Sequence, residues 1–496
     1  MRKKQTWLWA VILGGSAIGL GCADDSTSGT PGSTPVVAPA AVTPVATPCA
    51  KAPLSRTLAP NTKFMTRAPD PDAVKQIAST FKARDLADAL RLAAMEATPQ
   101  AVWFTSGTPQ QVQSDVSKTM RQADLTRTVP VLVAYDIPFR DCAQYSAGGA
   151  LDTASYEAWI DGFAAGIGRR RALVILEPDS LGIIPWIGDW CQPTVTDSAG
   201  NTIHAPGADP ATRYAQLNYA VDKLAAAAPN ALVYLDGTHS GWLNVGDAST
   251  RLANAGVARA EGFFLNISNY QITGNLAQYG TWISECLAYA TSVTPGDFGS
   301  CPNQYWNGGP LPSLIAQING EWTGTALDGN GAWSDSSTTV DLNTSGINLR
   351  YANMLGTTTA TARFIIDTSR NGRGPLNGAQ YAAAPYDQPA SVTASLTSGN
   401  WCNPPGAGLG LRPTANTGVA LLDATLWVKI PGESDGSCDI AGGARAWDYT
   451  QYNPWNVTGA AQSTFDPLWG MVDPAAGDWF APQALQLAKN ATPPLF

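Results

Sequence analysis

Seven short, almost continuously apolar segments recur along the chain, and each ends in polar residues. They are 101–104, 131–135, 173–176, 231–235, 263–267, 364–366 and 426–428. Apolar runs of this length without alternation are typical of parallel strands that are buried on both faces. Helical patterns with good starting residues lie between several of them, at Thr108-Pro109, Asp152 and Asp209-Pro210. The pattern predicts either a β/α barrel or a doubly wound sheet.

Two long stretches interrupt this alternation. Roughly ninety residues separate Tyr270 from Arg363, and roughly forty-five separate Asp435 from a last predicted helix near Pro482. Compact domains seldom use so much chain for connections unless the loops have a function. We therefore expect these two stretches to be functional loops.

The first 51 residues are not expected to belong to the folded body. Arg2, Lys3 and Lys4 precede an apolar run over 7–20, which predicts a secretory signal within 1–22. The end of this run resembles a lipoprotein cleavage site, so lipid attachment at Cys22 and ordinary cleavage nearby both stay open. Residues 23–51 are rich in Ser, Thr, Pro and Ala, which predicts a disordered tether. We expect export, no transmembrane span, and one globular domain over 52–496.

The composition excludes several classes of protein. The chain has 30 Lys and Arg against 39 Asp and Glu, whereas a nucleic-acid binder needs a basic surface. Only two histidines are present, His204 and His239, which excludes a histidine-rich metal site. Charged residues are 14% of the chain while Trp occurs 17 times. Such a composition fits either a neutral, ring-shaped ligand such as a sugar or a large core that packs many indoles.

Acidic residues follow nearly every predicted strand. In β/α folds, the working residues lie just past the carboxyl ends of the strands. These positions hold Asp136, Asp141, Glu177, Asp179, Asp236, Asp367, Glu433 and Asp435. Crowded carboxyl groups raise one another's pKa, so one can stay protonated beside an ionised one, as glycosidic cleavage requires. Any single acid taken alone could instead bind loop N–H groups or pair with an arginine.

Five segments, taken together, resemble family 6 of the glycoside hydrolases. They are 135–142 (YDIPFRDC), 176–181 (LEPDSL), 235–243 (LDGTHSGWL), 400–403 (NWCN) and 427–436 (WVKIPGESDG). All five occur in the family's order, and the resemblance covers about 52–496. It implies a cellulase that cuts β-1,4-glucan with inversion on a distorted seven-stranded parallel β/α barrel.

The resemblance also implies catalytic roles for individual residues. Asp179 matches the general acid, and Asp141 the acid that keeps it protonated and helps handle the proton of the water. Arg140 is expected to hold Asp141 ionised or oriented, and Tyr135 to favour a distorted sugar ring. Asp435 matches the residue usually assigned as base. The family often has a serine six residues beyond Asp141, but this chain has Ala147 there, so the adjacent Ser146 is the candidate.

The expected sugar-binding residues come from the same segments. Trp103 and Trp401 match stacking platforms on the −2 side, and Trp242 the platform at +1. The remaining members of the set form hydrogen bonds to the sugars: Asp236, His239, Asn269, Lys429 and Glu433. For the tryptophans the alternative is core packing, and for His239 it is a structural hydrogen bond near Trp242.

The family's cysteine pattern suggests the pairs Cys142–Cys191 and Cys402–Cys438, which leaves Cys286–Cys301 as the third pair and Cys49 unpaired. No cofactor and no metal are expected, and the partners are cellulose and cello-oligosaccharides bound by a monomer.

Loop length favours one mode of action within the family. The long segments 271–346 and 440–474 are typical of exo-acting members, so we expect release of cellobiose from non-reducing ends. An endoglucanase is the alternative. A non-catalytic glucan-binding lipoprotein is a second alternative, although such a protein would have lost one of its acids. A retaining glycosidase would need its two carboxyl groups only about 5 Å apart, and we predict a wider separation between Asp179 and Asp435.

Overall fold

The structure is a computed structural model that describes residues 57–142, 144–189, 191–311, 324–398, 401–439, 447–457 and 463–496. The predicted signal and tether, with Cys22 and Cys49, lie outside these residues, as does Asn400 of the fourth motif. Among the described residues, no helix is both long enough and apolar enough to cross a membrane.

Seven parallel strands form one sheet, in the same order in space as along the chain. They are β1 (Val102–Phe104), β2 (Val131–Ala134), β3 (Ala172–Leu176), β6 (Ala231–Asp236), β7 (Gly262–Leu265), β8 (Arg363–Asp367) and β9 (Leu422–Leu426). A separate antiparallel hairpin, β4 (Thr194–Thr196) and β5 (Thr202–His204), lies between β3 and the next helix.

The sheet curls until its two edges meet. The Ala101 N–H donates to the Trp427 carbonyl oxygen at 3.0 Å, and the Trp103 indole N–H donates to the Val428 carbonyl oxygen at 2.8 Å. These contacts join the start of β1 to the end of β9, although the two strands form no regular ladder. The result is the predicted seven-stranded, distorted β/α barrel.

Both faces of the sheet are buried, which explains the continuous apolar runs. In β2, Val131 and Val133 point into a core inside the barrel, while Leu132 and Ala134 pack against the surrounding helices. Successive side chains of a strand point to opposite faces, so a strand covered on both sides needs apolar residues at every position.

Ten α-helices accompany the strands in the described ranges. They are α1 (Pro71–Lys82), α2 (Leu86–Glu96), α3 (Pro109–Thr126), α4 (Thr153–Ile167), α5 (Pro210–Ala227), α6 (Val245–Asn254), α7 (Thr273–Ala288), α8 (Ser345–Leu355), α9 (Ala390–Ser398) and α10 (Ala481–Lys489). The predicted starts of α3, α4 and α5 are confirmed, because Thr108, Asp152 and Asp209 accept hydrogen bonds from first-turn N–H groups.

Two expectations from the sequence are corrected. The last strand is Leu422–Leu426, so the predicted run 426–428 lies at its end and beyond it. Asp423 obscured the pattern, since it is a buried carboxylate that pairs with Arg363 inside the sheet. The stretch between Tyr270 and Arg363 is not one long loop, because it contains α7 and α8.

All three predicted disulfides are present. Cys142–Cys191 joins the loops after β2 and β3, Cys402–Cys438 joins the loops before and after β9, and Cys286–Cys301 links the end of α7 to the following loop. The first two therefore connect loops that follow strands, where the expected catalytic residues lie.

Candidate active site

A cavity of about 860 Å³ opens at the carboxyl ends of the barrel strands. Thirteen of the fourteen predicted catalytic and binding residues line it. They are Trp103, Tyr135, Arg140, Asp141, Ser146, Asp179, His239, Trp242, Asn269, Trp401, Lys429, Glu433 and Asp435. The fold therefore brings together side chains that are more than 300 residues apart along the chain.

The backbone beneath the acids adopts an uncommon conformation. Asp141, Glu177 and Asp179 have φ values of 51°, 54° and 64°, in the left-handed region. A non-glycine residue there costs on the order of 1–3 kcal/mol and persists only where surrounding structure holds it. Such turns immediately after β2 and β3 indicate that the positions of these carboxyl groups are specified by the fold.

The surroundings of Asp179 favour its protonated form. Burial raises the pKa of its carboxyl group well above the ordinary value, and the negative charges of Asp236, Asp141 and Asp435 raise it further. A carboxylic acid that keeps its proton near neutral pH can donate it to a leaving oxygen.

Asp141 is linked to Ser146 by two hydrogen bonds. The Ser146 hydroxyl donates to Asp141 Oδ2 at 2.7 Å, and the Ser146 N–H donates to the same oxygen at 2.9 Å. Burial raises the pKa of Asp141, while these bonds and the charge of Arg140 act in the opposite direction. The Ser146 oxygen also lies 3.3 Å from the Tyr135 hydroxyl. A serine one position before the family's usual place thus connects Asp141 with Tyr135.

Arg140 acts on Asp141 through its charge rather than through a hydrogen bond. Its guanidinium donates to the carbonyl oxygens of Thr105, Tyr135 and Ser146 at 2.7, 2.5 and 3.0 Å. It also lies over the Tyr135 ring, 4.7 Å from the centroid. Of the two roles expected for Arg140, the structure supports the effect on ionisation, because the positive charge of Arg140 acts to lower the pKa of Asp141. Arg140 does not orient the carboxylate by a hydrogen bond, and it stabilises the loop through the three carbonyl oxygens instead.

Asp435 is held ionised. Arg370 donates to its Oδ2 at 2.7 Å, Lys429 Nζ lies 3.3 Å from its Oδ1, and the Asn403 N–H donates at 3.0 Å. Burial opposes ionisation, but the charges of Arg370 and Lys429 outweigh it and keep the pKa of Asp435 below its ordinary value. Sequence reasoning missed the part played by Arg370, although its place just after β8 and Asp367 was a usable signal.

Asp236 lies outside the lining of the cavity, contrary to expectation. Its carboxylate accepts hydrogen bonds from the N–H groups of Leu181, Gly182 and Thr238 at 3.0, 3.1 and 2.8 Å. Burial raises its pKa to about 6, and these bonds oppose the rise. Asp236 therefore stabilises the loop that carries Asp179, and its negative charge raises the pKa of Asp179.

Three half-buried tryptophans form part of the cavity wall. Trp103 meets Tyr135 edge-on with ring centroids 5.5 Å apart, and Trp401 lies 5.9 Å from Tyr145. Trp242 packs partly on the core while its remaining surface faces the cavity. Flat apolar faces beside hydrogen-bonding groups are suited to the faces of pyranose rings.

The polar residues of the wall form hydrogen bonds, and burial shifts the pKa of two of them. His239 Nδ1 accepts from the Gly241 N–H at 3.2 Å, and burial lowers its pKa to about 4, which leaves it neutral near pH 7. Burial raises the pKa of Glu433 to about 7 against the charge of Lys429. Lys429 Nζ donates to the Ser434 carbonyl oxygen at 3.0 Å, and the Asn269 side-chain amide to the Ile267 carbonyl oxygen at 3.2 Å.

A family model described as glycosyl hydrolases family 6 matches residues 59–491. This chain belongs to that family. The match covers most of the chain, including every strand of the barrel and the whole cavity lining. The resemblance found in the five sequence segments is confirmed.

Several family 6 proteins illustrate the range of relatives. Endoglucanase A of Thermobispora bispora is 30% identical over 341 residues, which is 68% of this chain and 51% of that protein. Exoglucanase A of Cellulomonas fimi is 29% identical over 458 residues, 82% of this chain and 45% of that protein. This chain spans between 51% and 65% of the length of three curated endoglucanases that it matches at 29–30% identity.

Solved family 6 structures share the fold. The endoglucanase Cel6 of Mycobacterium tuberculosis, in complex with methyl-cellobiosyl-4-deoxy-4-thio-β-D-cellobioside, is 26% identical with a TM-score of 0.52, covering 87% of this chain and 97% of that one. The catalytic core of the cellobiohydrolase Cel6A of Chaetomium thermophilum is 22% identical with a TM-score of 0.52, covering 87% and 98%.

Proposed function

We propose that this protein is a cellulase that hydrolyses β-1,4-glucosidic bonds with inversion of configuration. The observation that carries the proposal is the division of charge among three carboxyl groups in one tryptophan-lined cavity. Asp179 keeps its proton, Asp435 is held ionised by two cations, and Asp141 lies between these extremes. The names of the relatives point to the same substrate.

In the proposed reaction, Asp179 protonates the leaving glycosidic oxygen as the bond to the anomeric carbon breaks. Water attacks that carbon from the opposite face, and its proton passes toward Asp141. Ser146, whose hydroxyl contacts both Asp141 and Tyr135, is positioned to take part in that transfer. The positive charge that develops on the sugar ring is stabilised by ionised Asp435.

The environment of Asp435 supports water as the nucleophile. A covalent glycosyl-enzyme intermediate would need a carboxylate with a free oxygen lone pair directed at the sugar. Oδ2 of Asp435 already accepts hydrogen bonds from Arg370 and the Asn403 N–H, and the positive charge of Lys429 beside Oδ1 lowers the nucleophilicity of the remaining lone pair. Its lowered pKa also makes it a weaker proton acceptor than Asp141. We therefore assign the proton-accepting role to Asp141 and the electrostatic role to Asp435.

We further propose exo action, with cellobiose released from non-reducing ends. Its support is the contribution of long loops to the cavity wall, since Gly329 and Asn330 come from the segment between α7 and α8. Leu376 and Thr397 come from the loop and helix that follow β8. The endoglucanase alternative is supported by the names of some relatives at 29–30% identity, whereas others at 29% identity are named as a cellobiohydrolase and an exoglucanase.

Product analysis tests these proposals together. Chromatography of digests of crystalline and carboxymethylated cellulose should show cellobiose as the main early product, with a slow loss of viscosity. Rapid loss of viscosity with little cellobiose would replace exo with endo action. Proton NMR of cellohexaose digestion should show the α-anomer first, and early β-anomer would refute inversion.

We propose that the enzyme is exported. Three disulfides in one domain are typical of proteins that fold in an oxidising compartment. Mass spectrometry of the mature N-terminus would test export and would show whether Cys22 carries lipid.

A further inference from the structure

A buried arginine on α5 connects the two loops that carry Asp141 and Asp179. Arg213 is 2% exposed, in the first turn of the helix and behind the cavity rather than in its wall. One terminal nitrogen of its guanidinium donates to the carbonyl oxygens of Ser180 and Ile183 at 3.0 and 3.1 Å. The other donates to the Pro138 carbonyl oxygen at 2.8 Å.

The bonds of Arg213 reach the backbone close to both acids. Ser180 directly follows Asp179, and the Ile183 N–H donates to the Asp179 carbonyl oxygen at 2.7 Å, so Arg213 holds the turn built on Asp179. Pro138 begins the turn that leads to Asp141. Because Asp179 and Asp141 both have left-handed backbone conformations, their turns depend on such external contacts.

Arg213 shares the placement of the Asp179 turn with other contacts, among them the hydrogen bonds that Asp236 accepts from the Leu181 and Gly182 N–H groups. Glu177 accepts hydrogen bonds from the Asp136 and Ile137 N–H groups at 3.0 Å, which holds the first loop from β3. The Cys142–Cys191 disulfide joins the loops farther out, well beyond the turn at Asp179. Glu177 and Arg213 thus both connect the two loops, but Glu177 holds the start of each loop, whereas Arg213 holds Pro138, nearer to Asp141, together with Ser180 and Ile183 beyond Asp179.

Only an arginine has a planar fork of donors that can reach carbonyl oxygens on two separate loops. Burial disfavours the charged form and lowers the pKa of Arg213 to about 10, so the guanidinium is still protonated near neutral pH. A buried cation is costly, and a fold whose only need was stability could use an apolar residue at this site.

We propose that Arg213 is a positioning residue that fixes the relative placement of Asp141 and Asp179 by bridging the backbones of their loops. This inference rests on the proposed hydrolase function and deepens it. The general acid must lie within hydrogen-bond reach of the leaving oxygen, and a displacement of about 1 Å can cost about 100-fold in rate. Asp141 retains its bonds to Ser146 without Arg213, so the loss should fall mainly on Asp179.

The test compares two substrates that differ in their need for an acid. Cellohexaose has a poor leaving group that must be protonated, whereas 2,4-dinitrophenyl β-cellobioside releases a stable anion that needs little help. In Arg213→Lys and Arg213→Met, kcat on cellohexaose should fall about 100-fold with KM within about threefold. The kcat on the dinitrophenyl substrate should stay within about fivefold of the wild type.

Arg363→Met is the matched control. Arg363 is a half-buried arginine that pairs with the buried Asp423 at the amino end of β8, whereas the cavity lies at the carboxyl ends of the strands. This variant should lower the melting temperature without changing the ratio of the two kcat values.

The outcomes separate the inference from the proposed function. A wild-type protein inactive on both substrates would refute the hydrolase function. An active wild type with folded Arg213 variants that lose both activities equally, or lose neither, would refute the positioning role. If neither Arg213 variant folds, the residue supports the whole fold and the positioning role is rejected.

Discussion

The hydrogen bond between Ser146 and Asp141 gives the sharpest prediction for catalysis. Ser146→Ala removes the hydroxyl that donates to Asp141 Oδ2 at 2.7 Å and leaves the N–H bond to that oxygen in place. A hydrogen bond to a charged group is worth about 1.5–3 kcal/mol. Because the remaining N–H bond partly compensates, we take the lower end, which is about tenfold in the ionisation equilibrium of Asp141.

The role proposed for Asp141 determines how the pH dependence of kcat should change in Ser146→Ala. The Ser146 bond lowers the pKa of Asp141, so its loss raises that pKa. Asp141 must be ionised to accept a proton, and less of it is ionised on the acidic side of the pH profile. At pH values on the acidic side of the profile, the kcat of Ser146→Ala should therefore be about tenfold lower than that of the wild type. On the plateau at higher pH, the two kcat values should agree within about threefold.

The assay is kcat on cellohexaose between about pH 4 and 8, with products separated by chromatography. Ser117→Ala is the control, because it removes a serine hydroxyl bonded to the Gly166 carbonyl oxygen between α3 and α4. An acidic limb that stays in place would show that Asp141 is not the group that accepts the proton, and a loss of equal size at every pH would show that Ser146 acts in the proton transfer rather than through the pKa of Asp141.

Four further predictions follow from the cavity and its charges. Asp179→Asn should lower kcat on cellohexaose about 10²–10⁴-fold while calorimetry shows retained binding, and unchanged turnover would remove Asp179 from the acid role. Asp435→Asn leaves Arg370 and Lys429 without their carboxylate and should lower the free energy of unfolding by about 3–5 kcal/mol. For a folded domain of this length, that corresponds to a melting temperature about 3–5 °C lower. An unchanged melting temperature would contradict the importance of these buried ion pairs. Trp242→Ala should raise KM for cellohexaose several-fold with a nearly unchanged melting temperature, since the indole is half-exposed at the cavity, and a failure to fold would favour its role in core packing. The melting temperature should fall from about pH 5 to about pH 8. Burial raises the pKa of Glu177 to about 8 and that of Glu285 to about 7, so the folded protein keeps protons over this range that the unfolded chain releases. A melting temperature that rises steadily over the same range would refute this reasoning.

Much of the architecture was predictable because its causes are local. Apolar runs without alternation indicated strands covered on both faces, and six of the seven coincide closely with strands. Thr108, Asp152 and Asp209 indicated helix starts, because a capping side chain binds N–H groups only two or three residues away. The seventh strand was misplaced because the carboxylate of Asp423 has a distant partner, Arg363, that no local pattern reveals.

The sequence by itself determined which residues could do chemistry at the ends of the strands, and the family motifs assigned them roles. Only the tertiary structure decided how those roles are divided. It placed Asp236 beneath a loop rather than in the cavity, enclosed Asp435 between Arg370 and Lys429, and joined two loops through Arg213. The physical reason is that the charge state of a buried carboxyl group depends on neighbours brought near it by folding, whatever their distance along the chain.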